Sequence, residues 1–191
     1  MNRQDRLSRF EQGFSLVELL FVVALMGILG AMSVLQIGAS RASIKGDGAM
    51  RVTIGQMRTA RELAIGQRRF MRVVLTLPNK LEVIREEVPG PATTVVSTTF
   101  LEGPTFKLMG LPDTPDAFGK ASAIDFGTVT NIKFTPDGTL VNQDGVTING
   151  TVFMGMTPDD AAARSARAVT ILGSTGRIRG YRYDGRNWKL V

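Results

Sequence analysis

The sequence predicts an α+β protein in which one long N-terminal helix packs on a mostly antiparallel β-sheet domain. Three observations support this prediction. Residues 19–40 form an apolar run without a charge, and residues 50–64 repeat apolar side chains at helical spacing. From residue 71 onward, short β-type runs alternate with turn sequences. A length of 191 residues fits one membrane segment and one domain of ordinary size.

The apolar run Leu19–Ser40 is the candidate transmembrane segment. As a helix that rises about 1.5 Å per residue, it would span roughly 33 Å, which matches a hydrocarbon core of about 30 Å. Arg3, Arg6 and Arg9 precede it, so the positive-inside rule predicts a cytoplasmic N-terminus and an exported chain beyond Arg41. We therefore expect a single-pass membrane protein with its transmembrane helix over residues 14–40.

Glu18 is an unusual residue for this apolar segment. An ionised carboxylate there costs about 2.5–3.5 kcal/mol on insertion scales, so we expect it to have a cationic partner. Cleavage after Gly13 would create a new amine at Phe14, four residues before Glu18. The two groups could then share one helix face, or they could pair between staggered neighbouring chains.

The segment Gly13-Phe14-Ser15-Leu16-Val17-Glu18-Leu19-Leu20, behind a short basic leader, resembles the prepilin cleavage and methylation signal of type IV pilins and type II secretion pseudopilins. The resemblance implies that a prepilin peptidase removes the leader 1–13 between Gly13 and Phe14, and that Phe14 is N-methylated. It also implies that Glu18 pairs with the terminal amine of an adjacent subunit. The partners would be other pseudopilins and an inner-membrane assembly platform, with the C-terminal domain in the periplasm.

Two simpler interpretations of the N-terminus are a secretory signal, cut near Ala31-Met32-Ser33, and a plain signal anchor. Both explain the basic start and the apolar run. Neither explains Glu18, and the run exceeds the usual 7–15-residue core of a secretory signal.

Residues 41–67 are predicted to extend the membrane helix as an amphipathic helix. Its apolar stripe is expected to lie beneath a sheet, or alternatively against a partner helix in a filament, and comprises Met50, Ile54, Met57, Ala60 and Ala64. Gly46, Gly48 and Gly55 weaken the helix and indicate a bend near residues 45–48. Gly66 is the expected residue just beyond its C-terminus.

Residues 68–191 are predicted to form the β-rich domain. The expected strands are 71–77, 80–87, 93–100, 130–135, 146–154 and 168–172. Asp137-Gly138, Asp144-Gly145 and Asp184-Gly185 indicate tight turns. The proline-rich stretch 103–122 lacks periodicity, which favours a variable surface loop over a functional or mobile one.

Two C-terminal segments resemble minor pseudopilins of the GspH/FimT type. They are Ile132-Lys133-Phe134-Thr135-Pro136-Asp137-Gly138 and Ala168–Leu172 followed by Gly173–Arg179. The resemblance implies a minor pseudopilin of the type II secretion system, a tip or assembly component of a periplasmic pseudopilus that helps to export folded proteins. The membrane segment has no proline and the C-terminus no cysteine pair, unlike many adhesive major pilins.

An alternative is DNA uptake, because Gly176-Arg177-Ile178-Arg179 resembles the motif of FimT-type pilins that bind DNA. On a strand, Arg177 and Arg179 would share a face with Tyr181 and Tyr183, and alternating cations and aromatics can bind phosphates and stack on bases. The further candidate DNA-binding residues are Arg182, which would lie on the opposite face of the strand, Arg186 and Lys189. A solvated edge strand would give the same alternation.

The composition restricts the available chemistry. The chain has no Cys and no His, which excludes thiol nucleophiles, disulfides, Ser-His-Asp triads and His-ligated metals. Asp137, Asn142 and Asp144 lack EF-hand spacing, and Asp159-Asp160 resembles a helix start rather than a catalytic pair. We therefore expect no enzymatic activity, no metal and no cofactor. The net charge of +6 only permits an acidic partner.

Overall fold

A computed structural model describes residues 14–127, 131–157 and 164–191, without the side chains of residues 34–39. The predicted leader 1–13 with Gly13, and the predicted helix start at Asp159-Asp160, lie outside these residues. The chain divides into two compact units, residues 1–38 and 39–191. In chain order the elements are α1 (Leu16–Gln67), β1 (Met71–Thr76), β2 (Lys80–Glu86), β3 (Thr93–Phe100), β4 (Thr105–Phe106), β5 (Ile124–Asp125), β6 (Ile132–Phe134), β7 (Leu140–Val141), β8 (Gly150–Gly155), β9 (Arg167–Leu172), β10 (Arg177–Tyr183) and β11 (Trp188–Leu190).

In the first unit, the described residues form the N-terminal part of α1. The apolar side chains from Leu16 to Ser33 are exposed to the surroundings, and this stretch is long and apolar enough to cross a membrane. Apolar side chains that find no protein partner require lipid or other apolar helices. The predicted membrane-spanning first half of the helix is consistent with this finding.

In the second unit, the predicted apolar stripe of α1 is confirmed as part of the domain core. Met50, Met57, Ala60 and Ala64 are fully buried and Ile54 is partly buried. They pack in one cluster with side chains from both sheets, among them Met71, Val73, Phe134, Val169 and Ile171. Burial of each large apolar side chain contributes about 1.5–3 kcal/mol. The stripe therefore serves the fold of its own chain rather than a partner helix.

The end of α1 corrects one prediction. Gly66 lies inside the helix, and Arg68 instead takes the left-handed conformation, with φ of 51°. The Arg69 N–H donates to the Ala64 carbonyl at 3.1 Å, which is the six-to-one bond of a Schellman motif. A non-glycine residue therefore closes the helix.

The strands form two antiparallel sheets. The first has the order β3-β2-β1-β6-β7, and the second has the order β11-β10-β9-β8-β4, with β5 also paired to β8. The predicted strands at 71–77, 80–87, 93–100 and 168–172 are confirmed within a residue or two, whereas β8 begins at Gly150 rather than residue 146. The α+β class is confirmed. The predicted turns at Gly138, Gly145 and Gly185 all have positive φ, between 81° and 97°.

The proline-rich segment 103–122 packs against the second sheet. Strand β4 within it pairs with β8, and Leu108, Met109 and Leu111 lie against a buried cluster. That cluster comprises Phe153, Ala166, Ala168, Tyr181 and Trp188. The opposite face of the sheet meets α1, since a Cβ at Gly180 would lie 2.7 Å from Ile54 and 2.9 Å from Met50. The expected variable excursion is thus a cover for one face of the sheet.

The helix shows no interruption at residues 45–48, where its glycines predicted a bend. Gly46 instead permits close packing, because a Cβ there would lie 2.5 Å from the backbone oxygen of Ser165. This approach brings Asp47 to Arg167, whose side chain is fully buried. The Arg167 Nε lies 2.7 Å from the Asp47 carboxylate, and its Nη2 donates to the Ser43 carbonyl at 3.0 Å.

The two helix glycines at 46 and 48 provide a matched test. We expect Gly48→Ala to raise the free energy of unfolding by about 0.5–1 kcal/mol, since its Cβ meets nothing within 4 Å and alanine favours the helix. Gly46→Ala should lower the free energy of unfolding by about 1–3 kcal/mol, because the backbone at Gly46 or Ser165 must shift to make room for the added Cβ. Denaturant unfolding of the full chain in detergent, followed by Trp188 fluorescence, measures both. Equal effects of the two substitutions would contradict the close-packing role of Gly46.

Candidate processing site and basic C-terminal strands

Phe14 and Glu18 lie at the start of α1. The Leu19 N–H bonds to the Ser15 carbonyl at 3.1 Å, so Ser15 is the residue from which the helical hydrogen bonds start. Phe14 precedes it, and Glu18 lies in the first turn with an exposed side chain. Within residues 14–127, 131–157 and 164–191, no cation lies within ion-pair distance of the Glu18 carboxylate. The N-terminus of a helix is electrostatically suited to hold a carboxylate such as that of Glu18.

Strand β10 places its cations on two faces, as its alternation predicted. Arg177, Arg179, Tyr181 and Tyr183 share the face that residues 103–122 cover, while Arg182 lies on the opposite face. The strand pairs with β9 from Arg177 to Arg182, whereas β11 pairs only with Tyr181–Tyr183 on the other side. Arg177 and Arg179 therefore still lie at a sheet edge, as the alternative interpretation of an edge strand expected.

Asp116, from segment 103–122, is the centre of a polar network on this face. It accepts hydrogen bonds from the Arg179 guanidinium at 2.8 Å, the Tyr181 hydroxyl at 2.8 Å and the Thr170 hydroxyl at 2.6 Å. Its side chain is only 10% exposed. Three donors on two adjacent strands therefore hold the segment in place through one carboxylate.

The protonation equilibria follow from this geometry. Burial raises the pKa of Asp116, but the hydrogen bonds from Thr170 and Tyr181 and the charge of Arg179 outweigh it, so the net pKa is lowered. Burial, followed by the bond to Asp116, raises the pKa of the Tyr181 phenol. Both shifts favour the charged carboxylate and the protonated phenol that the network requires.

The other candidate DNA-binding cations, Arg182, Arg186 and Lys189, lie outside the Asp116 network. Arg182 lies 3.9 Å from the Asp47 carboxylate, and Lys189, directly opposite it on β11, lies 3.0 Å from Asp184. Backbone N–H groups of Asn187 and Arg186, and then Lys189, hold the pKa of Asp184 well below its usual range. Arg186 is exposed in this turn.

These positions restrict the predicted DNA-binding surface. Arg177 is exposed at one end of β10, whereas Arg186 and Lys189 belong to its other end, roughly 20 Å away for a seven-residue strand. Tyr181 is 3% exposed, and the Tyr183 ring packs edge-on against Trp188 with centroids 5.2 Å apart. The expectation that Tyr181 stacks on bases is therefore wrong for this conformation.

Gly176 of the Gly-Arg-Ile-Arg segment has a structural role. It has φ of 61°, and a Cβ there would lie 2.1 Å from the Gly138 carbonyl oxygen. Arg61 of α1 donates to the Gly138 carbonyl and to the Thr175 carbonyl, each at 3.1 Å. The glycine thus closes the turn between β9 and β10 next to a second turn and the helix.

The carboxylates that were weighed as calcium ligands serve their own turns. Asp137 accepts from the hydroxyls of Thr135 and Thr139, and Asn142 bonds the backbone N–H groups of Asp144 and Val146. Among the described parts of the chain, no group of three or more carboxylates converges as a metal site would require.

Sequence reasoning missed Asp47, Asp116 and Arg167. Asp116 lies in a segment without periodicity, and its partners are 54 to 65 residues away. Arg167 lies 120 residues from Asp47. The available signal was the Gly46-Asp47-Gly48 sequence, which pairs a close-packing glycine with an acid inside an amphipathic helix.

Comparisons with known proteins bear mainly on the N-terminus. Residues 8–34 match the family model described as the prokaryotic N-terminal methylation motif. The chain is similar in structure to the type IV minor pilin FimU of Pseudomonas aeruginosa, with 17% identity, a TM-score of 0.43, and coverage of 73% of this chain and 87% of that one. It matches no curated protein sequence. The methylation motif supports the sequence-based recognition of a type IV pilin-like protein and implies prepilin peptidase processing and assembly with other pilins.

The Asp116 network predicts an acid-sensitive contribution to stability. The pKa of Asp116 in the folded chain lies below the unfolded value of about 3.9. The charged carboxylate therefore contributes to the free energy of unfolding above about pH 4, and this contribution is lost as the pH falls further. Asp116→Asn should lower the free energy of unfolding by about 1–3 kcal/mol at pH 7 and by less at pH 3. Unfolding curves at both pH values test this.

Asp113→Asn is the matched control, because Asp113 lies in the same segment with a side chain that is 60% exposed. It should change stability by less than about 1 kcal/mol at either pH. A loss for Asp116→Asn that is identical at pH 7 and pH 3 would contradict the role of the charged carboxylate.

Proposed function

We propose that this chain is a minor pseudopilin of the type II secretion system, processed between Gly13 and Phe14 and assembled into a periplasmic filament. The observation that carries the proposal is the methylation motif at residues 8–34, which contains Glu18 inside an apolar segment long enough to cross a membrane. A carboxylate at that position is costly unless processing supplies a cation near it.

The proposed mechanism is assembly rather than catalysis. Removal of the leader exposes the Phe14 amine, which is then methylated and remains cationic. Glu18 of one subunit pairs with that amine on an adjacent subunit, so the ion pair fixes the stagger between two otherwise featureless apolar helices. In a dry helix bundle, breaking such a pair leaves an uncompensated charge, at a cost of about 3–5 kcal/mol.

The same proposal sets the location of the chain. Arg3, Arg6 and Arg9 favour a cytoplasmic N-terminus, and the domain from Arg41 onward then lies in the periplasm. Before assembly the subunit is anchored in the inner membrane, and the assembly platform then moves it into the filament. The domain from Arg41 onward selects neighbouring subunits at the tip.

Binding of DNA in the manner of FimT-type pilins is the second candidate function. It is favoured by the exposed Arg177 and by the exposed Arg186 and Lys189. Against it, Arg179 is paired with Asp116, and Tyr181 is buried. Export of folded proteins therefore remains the proposed role, and deletion of the chain should reduce secretion without reducing transformation.

Processing and assembly are separable by mutation. We expect Gly13→Ala to leave uncut precursor in the membrane, which immunoblotting and mass spectrometry of the N-terminus would show. Glu18→Leu should be cut normally but recovered in crosslinked filaments at least tenfold less. Glu62→Leu, an exposed acid on the same helix, is the control and should assemble normally. Normal recovery of Glu18→Leu would contradict the proposed ion pair.

Duplex binding tests the second candidate function. The full chain in detergent is titrated with duplex DNA at several salt concentrations, together with Arg177→Ala and, as control, Arg51→Ala on α1. We expect only weak binding that the two substitutions change equally. If Arg177→Ala alone reduced the log–log salt slope by about 0.9, a phosphate contact at Arg177 would be established and DNA binding would be favoured.

A further inference from the structure

Strand β3 is an unusual sheet edge. It is the outermost strand of the first sheet, and its sequence Thr-Thr-Val-Val-Ser-Thr-Thr-Phe contains neither a charge nor a proline. It has eight residues, whereas the described edge strands β4, β7 and β11 have two, two and three. Long edges are normally protected by charges, prolines or shortness, because unpaired backbone groups attract another strand.

The unpaired backbone groups of β3 are identified by its pairing with β2. The Leu101 N–H bonds to the Asn79 carbonyl and the Glu87 N–H to the Ala92 carbonyl, both at 2.9 Å. Since inward and outward groups alternate in an antiparallel strand, the N–H and C=O groups of Thr98 and Phe100 point away from β2. At the other end of the strand, those of Thr93 and Val95 point away.

The change of parity between the two ends comes from a bulge. Val83 lies opposite Ser97 and Ile84 opposite Val95, which leaves Val96 as the extra residue. The outward set is therefore 93, 95, 98 and 100, which is symmetric about the midpoint between Val96 and Ser97. Without the bulge, a two-fold axis between two residues of β3 would place residues whose backbone groups point away from β2 opposite residues whose groups point toward it, and the two copies could not pair.

We propose that β3 is a self-association surface that pairs antiparallel with β3 of a second copy of this chain, about a two-fold axis between Val96 and Ser97. Thr93 then lies opposite Phe100, and Val95 lies opposite Thr98, so that every outward donor meets an outward acceptor. About eight backbone hydrogen bonds form. The contact is isologous and closes at two copies, which gives one sheet of ten strands.

The side chains fit this pairing. Glu82 and Ile84 are two positions apart on β2 and therefore share one face of the sheet. Thr98, which bonds to Glu82 at 3.3 Å, and Val95, which lies opposite Ile84, occupy the same face. Val95 and Phe100 are 57% and 58% exposed and become covered by the second strand. No like charges oppose one another, because β3 carries none. This inference rests on the edge alone and does not depend on the proposed role in secretion.

The absence of cysteine from the chain permits a register-specific test. Val95→Cys/Thr98→Cys is made in the full chain and oxidised mildly in native membranes. Opposed residues in such a pair have Cα atoms about 5.5 Å apart, within disulfide range. We expect more than half of this double variant to run as a covalent dimer.

The single variants Val95→Cys and Thr98→Cys should remain monomeric, because each residue is offset by three positions, about 10 Å, from its copy in the partner. Glu82→Cys/Arg85→Cys, with the same spacing on the internal strand β2, is the matched control and should also remain monomeric. Adding Val96→Lys to the double variant should abolish the dimer, whereas adding Thr76→Lys should not.

Three outcomes would overturn the proposal. The first is a double variant that stays monomeric although its circular dichroism and Trp188 fluorescence match the parent chain. The second is equal crosslinking by the single variants, which would indicate random encounters. The third is a covalent product with a protein of different mass, which would assign the edge to another subunit.

Discussion

The close contact between α1 and the second sheet is the constraint on which the rest of the domain depends. Gly46 lets the helix backbone reach Ser165, and this places the Asp47 carboxylate against a guanidinium that has no access to water. Arg167 satisfies its other donors with the Ser43, Arg164 and Ala166 carbonyls. Because an unpaired buried charge is much more costly than an apolar mismatch, this contact fixes the register of the helix on the sheet.

The face of the second sheet that lies away from α1 shows how one side-chain pattern can serve two purposes. Alternating arginine and tyrosine on β10 is chemically suited to phosphates and bases. In this structure a carboxylate of the same chain, Asp116, receives Arg179 and Tyr181, and a proline-rich segment covers them. The motif therefore stabilises the domain here, whatever exposed Arg177 contacts in addition.

The sequence was sufficient for features that depend on neighbours in the chain. Helical spacing predicted the buried stripe from Met50 to Ala64, and alternation predicted β1. A turn at Pro78-Asn79 predicted β2, β-rich composition predicted β3, and Asp-Gly pairs predicted three turns. The sequence was insufficient where the partner lies far away. The helix glycines indicated a bend because local propensity does not reveal that Ser165 lies against Gly46. Likewise, nothing periodic marks segment 103–122, whose apolar side chains are buried by strands that follow it much later.

The link between Asp47 and Arg167 also has a consequence for the order of events during synthesis. Arg167 follows Asp47 by 120 positions, so the ribosome must extend the chain that far before the guanidinium that completes this contact exists. Until then, the second sheet cannot complete its cover over the stripe on the nascent helix, and contacts of such long sequence separation form slowly. A chaperone that shields residues 50–64 during synthesis would therefore affect the yield of this protein more than its final stability.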